Sequence, residues 1–176
     1  MKLPLLLALL FAIASFSVAW TEEPRPVEVP VVSVKPLPTV DQARRQAEIL
    51  HDMLHSTLQH VHHRFYREDE GLLLPAAVMK DVFADVEKQQ GIQLRWLAVE
   101  GQAMNTDHKP QNEFEHAAVK ALAAGEPSYE QIENSAYHRA GPITLGNHCL
   151  KCHVPDRKST EDRTAGLMIT IPIPGT

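Results

Sequence analysis

The two cysteines of this 176-residue chain lie three positions apart, in Cys149-Leu150-Lys151-Cys152-His153. Thiols that close together cannot staple distant parts of a polypeptide, so the fold must stand on its hydrophobic core and on whatever the thiols hold. Their spacing is the c-type haem attachment pattern. Two such thiols reach the vinyl groups along one edge of a porphyrin, and the next residue brings its imidazole under the iron. The reading is one covalent haem c on Cys149 and Cys152, with His153 as the proximal axial ligand. Two other chemistries use a Cys-x-x-Cys pair. A thioredoxin-type redox centre sits at a helix start following a strand, whereas the flanks here read as polar loop. A zinc site of Cys149, Cys152, His153 and His148 is too cramped for all four to coordinate one ion.

At the other end of the chain, Met1 and Lys2 precede an uncharged apolar run from Leu3 to Ala19 that closes on Ser17-Val18-Ala19. Small residues stand where a signal peptidase reads, and the run is shorter than the roughly 20 apolar residues of a spanning helix. It predicts a signal peptide over residues 1–19 and a periplasmic or otherwise exported mature chain, which suits a cofactor attached outside the cytoplasm. No cysteine lies near the cut, so no membrane anchor is expected after cleavage. Loss of Lys2 takes the formal charge from −5 to −6. A mildly acidic chain without a Lys/Arg run gives nucleic acid or an anionic membrane no electrostatic footing.

Residues 20–40 are dense in proline and read as a semi-rigid extended leader. The remaining span, 41–176, is long enough for one domain with its own core. Asp41 is a candidate cap for a long helix with apolar residues from Ala43 to Phe65 at steps of three and four. Pro75 suits the first turn of a second helix that Gly91 stops. A strand is predicted over Ile92–Glu100, a third helix over Asn112–Ala124, and strands near Tyr129–Glu133, Tyr137–Leu145 and Gly166–Ile173. Helices first and strands later favour an α+β domain, helices packed on an antiparallel sheet. The last strand, alternating and largely uncharged, could pair with a partner's edge or close the sheet.

The second axial ligand has many candidates among ten histidines and five methionines. Met79 lies on the apolar side of the second helix, where a methionine fills core unless that helix covers the haem. His108, in a loop before Pro110, is the runner-up. His51, His55, His60, His62 and His63 read as solvated positions off the apolar stripe. His51 and His55 are spaced as half a metal site.

The order of features resembles a family of small c-type haem domains with a PAS-like fold, formerly of unknown function and typified by a small cyanobacterial haem protein. The likeness spans most of residues 41–176. It rests on a strand with Arg95 and Trp96, a turn from Asn105 to Pro110, the pair Phe114-Glu115, a strand with Pro142, and the haem motif. The family turn reads Arg-Asn-Pro-x-Asn-x-Pro; here Asn105 and Pro110 match it. The resemblance implies a PAS-like sheet and a redox or ligand sensor, and a distal cysteine on the helix before the first strand. This chain has no third cysteine, and Met79 stands nearest that point.

The expected role is a monohaem protein in redox sensing or electron transfer, with a redox or signalling protein as partner. The alternative is an open-site haem enzyme of peroxidase or nitrogen-oxide reductase type, or a gas sensor, which needs a free iron position and distal acid/base groups. A single haem motif favours binding over catalysis.

Overall fold

The structure, a computed structural model, describes residues 36–103, 105–154 and 158–175. The expected signal peptide and most of the proline-rich leader lie outside the described residues.

Helix α1 (Val40–Phe65) begins at a capping box. The Thr39 hydroxyl accepts from the Gln42 N–H at 3.3 Å, and the Gln42 side chain accepts from the Thr39 N–H at 2.9 Å. Asp41, the expected cap, lies instead in the first turn, where its charge suits the positive end of the helix dipole. Helix α2 (Pro75–Gln90) starts on proline and ends at Gly91, whose left-handed backbone lets its N–H reach Glu87 O at 2.8 Å.

Strand β1 (Gln93–Leu97) is shorter than predicted, because the Ala98 N–H turns away to donate to His108 O at 2.7 Å. Helix α3 (Glu113–Ala123) is capped by Asn112, whose side chain accepts from the Glu115 N–H. Strands β2 (Tyr129–Glu133) and β3 (Ala136–Leu145) follow, then a short helix α4 (Asn147–His153) and β4 (Arg163–Pro172).

The sheet order is β1-β4-β3-β2, antiparallel throughout. The domain is therefore α+β, an arrangement consistent with the PAS-like sheet expected. Strand β4 lies inside the sheet with both edges paired, so it offers no edge to a partner; β1 and β2 are the outer strands. Period-two alternation splits the core. Trp96, Tyr137, Ile143, Leu167 and Ile169 pack with Ala43, Ala47, Leu54, Met79 and Phe83 of α1 and α2. Leu97, Ala140 and Met168 face the other way, against Phe114, Ala118 and Leu122 of α3.

The histidines of α1 depart from the sequence reading. His51 is buried and donates from Nε2 to Pro142 O at 3.0 Å. His55 Nε2 accepts from the Thr144 N–H at 3.3 Å, and Gln59 donates to Thr144 O at 2.7 Å. Residues four apart thus stitch one face of α1 to the end of β3. Gly141 makes the close approach possible, since a Cβ there would stand 2.5 Å from the His51 ring. Among the described residues, no helix is long and apolar enough to cross a membrane.

Candidate functional site

From β3 the chain turns at Gly146 into α4, which carries the whole Cys149–His153 motif. The motif was expected in a polar loop. Its helical setting removes that argument against a thioredoxin-type centre, which also follows a strand. Burial pushes the Cys149 thiol up, the opposite direction from an activated thiolate.

Seven residues do not make a stable helix alone, so tertiary ties hold α4 in place. Leu150 is 1% exposed. The Gln102 N–H donates to His153 O at 3.1 Å. Gly101 precedes that contact with φ +84°, and a Cβ there would stand 2.8 Å from His153 O and 2.9 Å from Val154 Cγ2. Only glycine fits both the backbone and the space.

Cys149, Cys152 and His153 face a cavity of about 360 Å³, inside the range of roughly 300–1,000 Å³ common to cofactor pockets. Its apolar lining includes Leu58 of α1, Ala76 of α2, Trp96 and Leu97 of β1, Ile143 of β3 and Ala165 of β4. His108, on a single 3₁₀ turn (Thr106–His108), and His62 of α1 also line it.

The imidazoles here are tuned toward neutrality. Burial lowers the His153 pKa, with a smaller push from His62. Burial lowers that of His108 as well, followed by Lys80 and then His153. For His62 the causes are burial, then His148 and His63. Neutral imidazole is the form that binds iron. His108 Nε2 is buried with no hydrogen-bond partner in the protein. Such an atom is costly unless something completes it.

Met79 does not line the cavity. It is buried in the core with Phe83, one turn on, whereas Ala76, Ala77 and Lys80 of α2 line the cavity. Met79, the first sequence candidate for the second iron ligand, thus sits among the core residues and not among those that line the cavity. His62 was missed because it read as solvated. The available signal was its place on the strip His55, Gln59, His62, Tyr66, spaced by three and four beside the apolar stripe; its ring lies 5.0 Å from that of Tyr66.

A second cavity of about 240 Å³ adjoins α4, with His60, His62, His63, His148 and Cys149 in its walls. The His63 and His148 rings are 5.2 Å apart. Among the described residues, no three His, Cys, Asp or Glu side chains converge to hold a metal ion, so the His51/His55 half-site finds no completion.

The donor set fits a haem of c type: paired thiols and an imidazole on one helix, an apolar cavity beside them, and a second neutral imidazole with a free buried nitrogen.

Residues 37–168 match the family model described as Tll0287-like. Among solved structures, the crystal structure of the cyanobacterial haem protein Tll0287 aligns with 21% identity and a TM-score of 0.44, over 78% of this chain and 94% of that one. No curated protein matches the chain.

Proposed function

This chain belongs to the Tll0287-like family, and from its site we propose that it binds a single haem c and serves in redox sensing or electron transfer. Cys149 and Cys152 are the attachment points. Each thiol would add across a vinyl group, the sulfur bonding one carbon and the proton going to the other, so no oxidant is required. His153 and His108 would hold the iron. The observation that carries the reading is the meeting of the motif with His108 in one apolar cavity, where the buried Nε2 lacks a partner. Bound haem would supply a one-electron iron couple. The protein's own residues keep two imidazoles neutral, orient them through backbone ties and surround them with apolar walls.

Iron held by two histidines would suit electron exchange better than substrate chemistry, at a potential below that of a His/Met pair. This favours the redox reading over the peroxidase, reductase or gas-sensor alternative. The apolar run over residues 3–19 supports export and attachment in the periplasm. The partner is proposed to be a redox or signalling protein; the acidic chain argues against nucleic acid.

Optical spectra of protein matured with a c-haem attachment system test the reading. Low-spin bands in both oxidation states, barely altered by carbon monoxide, are expected for the wild type. His108→Ala should become high-spin and bind carbon monoxide, and added imidazole should restore the low-spin bands. A wild-type spectrum from His108→Ala would remove His108 from the iron, with His62→Ala the next variant to measure.

A further inference from the structure

His108 stands on one turn of 3₁₀ helix, too short to hold a side chain in place unaided. What fixes it is a grip on the backbone at either side. The Arg95 guanidinium donates to Asp107 O and, at 3.3–3.4 Å, to Lys109 O, the two carbonyls flanking His108. The carbonyl of His108 itself accepts from the Ala98 N–H. Arg95 is in turn held by Glu115, a residue only 4% exposed whose carboxylate also accepts from the Gln111 N–H at 2.6 Å. Glu115 sits in the first turn of α3, and Arg95 in the sheet, so the loop is bracketed between two rigid elements.

We propose that Arg95, anchored by Glu115, is a positioning residue that keeps His108 within the haem cavity and thereby decides whether the sixth iron position is closed or open. The inference rests on the reading of His108 as the distal ligand. A planar fork is the side chain that can meet two carbonyls and a carboxylate together; a lysine ammonium keeps the charge for Glu115 but has no such fork. Loosening the grip lets the loop leave without altering any iron ligand.

The test compares Arg95→Lys and Glu115→Gln with wild type and His108→Ala. Glu115→Gln retains an acceptor for the Gln111 N–H. Thermal unfolding first identifies which of the two variants folds. In the haem-loaded, reduced protein, the folded variant should bind carbon monoxide at least about tenfold faster than wild type, the scale expected when one or two charge-assisted hydrogen bonds holding a closed state are lost. In haem-free protein, the Ala98 amide, bonded to His108 O, should exchange with solvent faster by a similar factor.

If His108→Ala turns high-spin while the folded clamp variant keeps wild-type carbon monoxide kinetics and Ala98 exchange, the positioning role is overturned and the ligand reading stands. If His108→Ala leaves the spectrum unchanged, the ligand reading fails and the proposal falls with it. Loss of folding in both variants would make the ion pair a requirement of the fold, which also overturns a role confined to positioning.

Discussion

Replacing Gly101 with alanine should damage the site from outside it. The residue has φ +84°, a conformation that costs an L side chain about 1–2 kcal/mol. The new Cβ would also meet His153 O at 2.8 Å and Val154 Cγ2 at 2.9 Å. One of these partners is backbone, so relief requires moving the end of α4 and giving up the Gln102–His153 hydrogen bond, worth about 1 kcal/mol. The total is about 2–3 kcal/mol. In a domain of this size that lowers Tm by about 6–9 °C. Gly125→Ala is the matched control: its φ is +87° with nothing within 4 Å of the added Cβ, so only the backbone cost of about 1–2 kcal/mol applies. Thermal unfolding by circular dichroism measures both variants, and haem-loaded Gly101→Ala should show a reduced low-spin fraction as His153 shifts. Equal Tm losses in the two variants, with an unchanged spectrum for Gly101→Ala, would refute the claim that this glycine seats the proximal helix.

Two further outcomes follow from the same geometry. Burial lowers the His55 pKa below its ordinary 6.5, the smaller effect of His51 adding to it, and its Nε2 must be unprotonated to accept from Thr144. The unfolded chain takes up that proton first, so the stabilisation is present above about pH 6.5 and is lost as pH falls through the folded-state value. His55→Gln can accept the same N–H without titrating, and its Tm should fall less steeply than the wild type's from about pH 7 to 5; parallel profiles would deny His55 this role. Met79→Leu, nearly volume-conserving, should cost less than about 1.5 kcal/mol and leave the haem spectrum unchanged. A spectral change would return Met79 to the iron.

Much of the domain was legible in the sequence, for reasons visible residue by residue. Pro75 and Gly91 bound α2 through backbone rules that tertiary structure did not override. The alternation of Leu167, Ile169 and Ile171 made β4 readable as a strand, yet its interior place depends on pairing with β1 and β3, which local pattern does not contain. Helix α4 was hidden because seven residues with one buried leucine have no measurable period. His51 passed for a solvated histidine because its partner, Pro142 O, is a backbone atom more than ninety residues away. For the same reason His108 could be only a runner-up. Its claim rests on a cavity assembled from α1, α2, β1, β3, α4 and β4, and on the absence of a partner for one nitrogen.

Covalent attachment is the central claim, and intact-mass analysis followed by peptide mapping tests it most directly. The chain, expressed with its first 19 residues and a c-haem maturation system, should emerge heavier by one haem. The added mass should lie on the peptide containing Cys149 and Cys152 and survive denaturation in acid. A chain that carries no added mass, or one whose haem separates on denaturation, would contradict the account.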